Sequence, residues 1–272
     1  MLSDPEIEIV YNPLPNFLHK EWTIKAAESG KNVLCEKPLA LNVEEVREMF
    51  DVCEANDVLL MEGFMYRFHP MTRRVKELLE EGAVGTPKFL RASHSFPLIS
   101  MDRADDIRWK EEMGGGSLMD LGCYCVNTAR YFFGGEPRKV HASSLHHPDF
   151  SAEAQMEGIL EFPEDRTAII DSSFLLYHRA KYEVVGESGK ILIGNAYRSE
   201  GEDLKIEIFR EGERRSERIE GTDEFRLEVD NFTRAATGEE KPKISREDSI
   251  GNMKTIEALY ESAENNRPVE LD

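Results

Sequence analysis

The sequence predicts an α/β chain in two parts: a short parallel sheet with helices packed on it, then an α+β part built on a large, mostly antiparallel sheet. Three observations predict it. Apolar runs of buried-strand type alternate with helical patterns from Glu6 to Met61, and such β-α-β-α-β alternation argues for parallel strands. Beyond 133, β-rich stretches follow one another across short turns at 137–146, 155–162, 166–177, 180–186, 189–194 and 203–209, the pattern of an antiparallel sheet. Two helical patterns, 223–237 and 245–265, close the chain.

Taken in order, Glu6 to Tyr11 reads as a strand running into the turn Asn12-Pro13-Leu14-Pro15-Asn16. A helical pattern from Phe17 to Ser29 closes on Gly30, a residue type suited to the left-handed position after a helix. Asn32 to Cys35 is an apolar strand ending in Glu36-Lys37-Pro38, and Asn42 with Glu45 forms a capping box that starts a helix reaching Asn56. Val58 to Met61 is the next strand. In open α/β sheets, polar groups at the carboxyl ends of such strands face the ligand crevice, which places Pro15, Asn16, Glu36 and Lys37 there. A helix then runs from Pro70 to Glu81, with His69 helping to start it, and a strand runs through Ser93.

The stretch from Gly114 to Phe133 predicts a helix over 117–133 with two faces. At 100° per residue Leu118, Leu121, Gly122, Cys125, Ala129 and Phe132 share one stripe, and Asp120, Tyr124, Asn127 and Tyr131 share the other. A carboxylate, two phenols and an amide opposite a core stripe read as the wall of a polar cleft. Ser117 with Asp120 also approximates a capping box, in which the carboxylate would only bond the helix start. Trp109, just before the glycine run, reads either as a lid over substrate or as core. His19 reads either as a cofactor-crevice residue or as a partial cap.

Composition narrows the partners. The 272 residues carry 53 acidic and 34 basic side chains, a net charge of −19, and such a surface repels nucleic acid and anionic membranes. No apolar run is long enough to span a bilayer. Cys35, Cys53, Cys123 and Cys125 lie in apolar segments and read as reduced thiols of a cytoplasmic protein. Cys123 and Cys125, two apart on a helix, point different ways and cannot grip one metal ion, so no metal is expected. In 166–177, Ala168, Ile170, Phe174 and Leu176 alternate with Ile169, Leu175 and Tyr177; both faces need cover, which predicts a homodimer or tetramer.

Three segments, Pro15 to His19, Gly30 to Ala40 and Gly114 to Tyr124, with a β-rich second half, resemble the Gfo/Idh/MocA family of nicotinamide-dependent oxidoreductases. Tyr124, with Met61 to Arg67, is similar to the branch holding D-xylose dehydrogenase, dimeric dihydrodiol dehydrogenase and glucose-fructose oxidoreductase. The resemblance implies a partial Rossmann-type dinucleotide domain over 1–68 and a substrate-binding and oligomerisation domain over 69–272, whose 245–265 helix packs back toward the first domain. It implies NADP or NAD as cofactor and a sugar or cyclic diol as substrate. It gives Lys37 and Tyr124 catalytic positions and Asp120 a substrate-side one. Together with the strand-end and helix positions above, the expected site is Lys37, Tyr124 and Asp120 for catalysis, Pro13, Leu14, Pro15, Asn16, His19, Glu36, Lys37 and Arg67 for the cofactor, and Trp109, Asp120 and Asn127 for the substrate. Relatives begin with a strand and a Gly-x-Gly-x-x-Gly turn that this sequence does not contain. The expectation that follows is an N-terminally incomplete enzyme, by a start assigned too far downstream or by deletion, that binds the dinucleotide poorly. A non-catalytic fragment or sensor stands as the alternative, and a nicotinamide-dependent glycosidase is disfavoured by Tyr124.

As a base near neutrality, a tyrosine of ordinary pKa about 10 needs lowering by two or three units, each about 1.4 kcal/mol. Lys37 is the expected perturber: a charge about 4 Å away gives about 1 kcal/mol in water but about 4 kcal/mol at an effective dielectric near 20, so the cleft must close.

Overall fold

Three parallel strands form the first sheet: β1 (Ile9–Asn12), β2 (Asn32–Glu36) and β3 (Leu60–Gly63), in that spatial order. In the computed structural model, which describes residues 1–101 and 103–271, Ile9 pairs with Asn32 at one end of the sheet and Glu36 with Gly63 at the other. Val33, Leu34 and Cys35 are all buried, as a parallel strand covered on both faces requires. The crossovers are α1 (Asn16–Glu28) and α2 (Val43–Ala55). Asn42 caps α2 by accepting the Glu45 N–H at 2.8 Å, while Glu45 reaches back to the Leu41 N–H at 3.2 Å. Gly30 follows α1 with φ +71°, the left-handed conformation its position demands. Strands β1 and β3 start later than their apolar runs suggest, because pairing with β2 sets their ends.

The second sheet has nine strands. Beyond α3 (Pro70–Glu80) they are β4 (Pro87–Ser95), β5 (Lys139–His146), β6 (Glu153–Phe162), β7 (Arg166–Ser173), β8 (Arg179–Gly186), β9 (Gly189–Ile193), β10 (Leu204–Arg210), β11 (Glu213–Ile219) and β12 (Val269–Glu270). Their spatial order is β11-β10-β9-β8-β4-β7-β6-β5-β12, and β4 with β7 is the parallel pair in an otherwise antiparallel array. His69 starts α3 by accepting the Met71 N–H at 3.0 Å. Strand β11 escapes the sequence pattern because its residues, Arg214, Arg215, Glu217 and Arg218 among them, show no apolar alternation. It exists as the outer arm of a hairpin whose turn, Glu211-Gly212, has φ +52° and +85°, the geometry that matches strand twist. Strand β7 ends at Ser173 rather than at 177, since Phe174 leaves the ladder for a separate apolar cluster with Leu98, Trp109, Leu121 and Ala154.

The helix expected over 117–133 begins differently. Leu118–Gly122 is a widened π turn, and the regular helix α4 spans Cys123–Phe133. The Ser117–Asp120 capping box does not form. Glu153 of β6, only 3% exposed, accepts the Leu118 N–H at 2.5 Å, and the Ser117 hydroxyl turns to Ser172 at 3.0 Å. Nor does α4 carry a polar face along its length: Asn127, Thr128 and Arg130 are all buried, so only the first turns of the segment reach the cleft. Helices α5 (Glu224–Ala236) and α6 (Arg246–Asn265) follow. Helix α6 packs on α2, where Glu257 accepts the Val43 N–H at 3.0 Å.

Three carboxyls are taken deep into this structure, and burial pushes Glu62 up to about 7, Glu153 to about 8 and Glu228 to about 9. Each is raised above an unfolded value near about 4.3, so the folded state binds the extra protons. The stability they support is fully present below that unfolded value and is lost as pH rises through the folded ones. The melting temperature is therefore expected to fall between about pH 5 and pH 9. Glu228→Gln is expected to flatten the fall, and an unchanged slope in calorimetry overturns the assignment.

Candidate active site

Two cavities meet where the carboxyl ends of β1 and β2 face the second sheet. The first, about 430 Å³, is lined by Tyr124, His94, Leu121, Tyr197 and Met65 among others. The second, about 370 Å³, is lined by Pro13, Leu14, Pro15 and Asn16 on one side and Gly114 and Gly115 on the other. Glu36, Lys37 and Asp120 line both. The wall between the cavities is thus made of charged groups from two elements far apart in sequence.

Lys37 leaves the end of β2 and donates from Nζ to the Asp120 carbonyl oxygen at 2.6 Å and to its Oδ1 at 3.1 Å. The same ammonium lies 4.7 Å from the centre of the Tyr124 ring. Burial works against its charge, but its interactions with Tyr124 and with the Asp120 carboxylate outweigh that and hold the ammonium above its ordinary range. Burial likewise works against the Asp120 carboxylate, yet Lys37 and then Arg108 overcome it and bring the group down to about 2. Arg108 donates from Nε to Asp120 Oδ2 at 2.7 Å, and Asp106 holds Arg108 in turn at 3.2 Å.

Tyr124 departs from expectation. Phe64, Tyr66 and His94 meet its ring edge-on at 5.5, 5.9 and 5.5 Å, and Tyr197 tilts against it at 5.3 Å. Its hydroxyl points to the Met65 sulfur at 3.4 Å. Burial in this aromatic box pushes the phenol well above its ordinary value, and Lys37 only moderates the rise. The expected lowering is not seen because the ammonium faces the ring while its hydrogen bonds go to Asp120.

The turn that carries Lys37 is held from behind. Glu62 accepts the Leu39 N–H at 2.9 Å. His19 does not line either cavity; fully buried, its ring nitrogens lie 2.7 Å from the Leu14 carbonyl oxygen and 3.0 Å from that of Pro38, packing the ring between the two loops that do. Asn16 donates to the Gly114 carbonyl at 2.7 Å across the second cavity. Gly114 has φ +73°, and a Cβ there would stand 2.4 Å from Leu41 and 2.8 Å from Asn16, so only glycine lets the two walls approach.

Three further residues expected at the site lie elsewhere. Arg67 stacks 3.8 Å over Tyr131 and pairs with Asp248 at 2.9 Å. Asn127 accepts from the Tyr66 hydroxyl at 2.7 Å and from Arg67 at 3.2 Å, so the segment before α3 covers it. Trp109, 2% exposed, stacks on Phe150 at 4.2 Å in the smaller apolar cluster. Conversely, Arg108, His94 and Tyr197 line the site or hold it without having been singled out. For His94 the signal was available: alternation along Leu90, Ala92 and His94 places it on the apolar face of β4.

A parallel βαβαβ unit whose strand ends open onto two cavities sharing a wall, with a largely covered lysine in that wall, is the arrangement of a dinucleotide-binding domain set against a substrate site. Residues 1–64 match the oxidoreductase family described as having an NAD-binding Rossmann fold, and residues 72–192 match the GFO/IDH/MocA C-terminal domain. The chain is 40% identical, over all of its length and 83% of the relative's, to a protein named D-xylose 1-dehydrogenase (NADP(+)) 2 from Haloferax volcanii. It superimposes on an aldose-aldose oxidoreductase from Caulobacter crescentus, complexed with glycerol, with a TM-score of 0.92 and 29% identity, covering 99% of this chain and 81% of that one. A 3-ketoreductase from Actinomadura kijaniata, in complex with NADP and TDP-benzene, gives a TM-score of 0.90 at 28% identity, covering 96% of this chain and 80% of that one. The chain belongs to the Gfo/Idh/MocA family and is an NAD(P)-dependent oxidoreductase.

The second cavity suits the nicotinamide end of such a cofactor: it lies at the carboxyl ends of parallel strands, between a proline-rich loop and a glycine turn, and opens on Lys37 and Asp120. Arg108→Ala should let Asp120 rise from about 2 toward its ordinary range, moving the acid limb of the kcat/KM profile upward. An acid limb that stays in place overturns the role given to Arg108.

Proposed function

We propose that the protein oxidises a hydroxyl of an aldose or a cyclic diol, with NADP or NAD as the acceptor. The observation that carries this reading is the shared wall: Lys37, Asp120 and Tyr124 meet where the two cavities join. The name of the Haloferax volcanii relative supports D-xylose and NADP in particular. Bound in the second cavity, the nicotinamide supplies a carbon that accepts a hydride. Everything else falls to the chain's own side chains. Tyr124 exchanges the hydroxyl proton, Lys37 supplies the positive field beside the ring, and Asp120 fixes Lys37 and stays ionised. Pro13, Leu14, Pro15, Asn16 and Glu36 shape the cofactor side. In this division of labour residues 1–68 serve the cofactor and 69–272 the substrate.

Because burial keeps the Tyr124 phenol protonated, reduction of a carbonyl finds its proton donor ready at neutral pH, whereas oxidation needs the phenol to give up its proton first. Oxidation of D-xylose should therefore speed up toward alkaline pH while the reverse reaction slows. Parallel pH profiles in the two directions overturn this. Tyr124→Phe and Lys37→Ala are each expected to lower turnover by at least about a hundredfold without unfolding the chain, as loss of a positioned acid–base group does. Near-normal NADPH formation by either variant removes that residue from the mechanism.

The same proposal includes a homodimer or tetramer and a cytoplasmic setting. Support for the assembly lies on the open face of the second sheet, where Leu145 and Ile159 are 46% and 42% exposed, and in the loop after β7, where Tyr177 is 86% exposed; apolar surface of that kind normally packs on a partner. All four cysteines are unpaired and buried, as suits a reducing compartment. A monomer in sedimentation at micromolar concentration overturns the assembly.

A further inference from the structure

One polar ring in the cleft has no part in the reaction just described. His94 lines the first cavity beside Tyr124. Its ring meets Tyr124 edge-on at 5.5 Å and lies tilted over Tyr197 at 4.8 Å, so two aromatic faces fix its orientation. Its Nδ1 is buried and has no hydrogen-bond partner among the described residues. Burial first, and then the charge of Lys37, bring its pKa down to about 3, so the imidazole is neutral wherever the enzyme works. A neutral imidazole carries one donor and one acceptor. In a core both would be bonded to the protein, whereas here Nδ1 is left without a partner among the described residues, and a buried polar atom left unbonded costs free energy that an apolar ring of the same shape would not. Phenylalanine would serve better if packing against the two tyrosines were all this position did.

We infer that His94 is a specificity-determining residue, hydrogen-bonding through Nε2, the ring nitrogen not closed off against the protein, the sugar hydroxyl next to the one being oxidised. The inference rests on the reading of the cavity as a sugar site. Tyr124 must meet the reacting hydroxyl to exchange its proton, and His94, packed directly against Tyr124, is the polar ring best placed to reach the neighbouring one. For an aldose oxidised at C1 that is the hydroxyl on C2. A neutral ring can give or take this bond without the desolvation cost that a charged one would bring, and it does not compete with Tyr124 for the proton.

The test compares D-xylose and D-glucose with their 2-deoxy analogues, as kcat/KM with NADP, in the full chain and in His94→Phe. The phenylalanine variant keeps an aromatic ring against Tyr124 and Tyr197 and removes both nitrogens. The unaltered chain is expected to prefer the 2-hydroxy sugar by about tenfold, the scale of one hydrogen bond in a dry site. In His94→Phe the preference is expected to collapse to within about threefold, mainly through a higher KM for the 2-hydroxy sugar. His94→Asn, which restores a donor and an acceptor at this position, is expected to recover part of it. Discrimination retained by His94→Phe, or absent from the unaltered chain, overturns the inference while leaving the oxidoreductase reading intact. An unaltered chain that oxidises none of these sugars overturns the sugar-site reading itself, and the role of His94 with it.

Discussion

The pair between Lys37 and Asp120 is the constraint on which the arrangement of the site depends. It joins the end of a parallel strand to the first turn of a helix segment 83 residues later, at 3.1 Å, with side chains only 11% and 18% exposed. A buried ion pair is weak as a source of net stability, because both charges lose their water. Breaking it is another matter: an uncompensated charge left behind costs about 3–5 kcal/mol. The pair therefore acts less as glue than as a register. Any slippage of the π turn relative to β2 would strand one of the two charges, so the two halves of the cleft have one favoured alignment.

That register is supported from both sides by buried carboxyls which never enter the cleft chemistry. Glu62 holds the turn after Lys37 through the Leu39 N–H, and Glu153 holds the turn before Asp120 through the Leu118 N–H. Gly116, at φ +113°, lies directly over Glu153: a Cβ there would stand 2.0 Å from Oε2. The glycine run is thus not only a flexible lead-in to a helix. It lets a carboxyl from the second sheet approach the backbone closely enough to replace an ordinary helix cap.

Legibility in the sequence followed the range of the interactions. Local signals held: the Asn42–Glu45 cap, the His69 start of α3, Gly30 after α1, and the placing of Glu36 and Lys37 at a strand end each depend on neighbours within a turn. What failed depends on partners far along the chain. Ser117 with Asp120 has the spacing of a capping box, but Glu153 arrives from 35 residues away and takes the N–H. Asn127 falls on the predicted polar face, but Tyr66 and Arg67, about sixty residues earlier, cover it. Strand β11 has no pattern of its own and exists only because a hairpin turn presents it to β10. The cleft was readable as a cleft because its strand-end residues are local; its aromatic box was not, since Phe64, His94 and Tyr197 come from three separate elements.

The behaviour of Tyr124 follows from the same web of charge. Lys37 does not confront the phenol as a free cation: Asp120 neutralises it, Arg108 neutralises the other oxygen of Asp120, and Asp106 neutralises Arg108. Such a chain of alternating charges has little net field beyond its own length, whereas the removal of water by Phe64, Tyr66, His94 and Tyr197 acts on the hydroxyl with only partial compensation from Lys37. Desolvation accordingly wins and the phenol stays protonated. The alternation also marks where control over the phenol resides. What weakens the hold of Asp120 on Lys37 frees positive field for Tyr124, and Asp120 lines both cavities, so a group bound on either side of the wall can shift that balance.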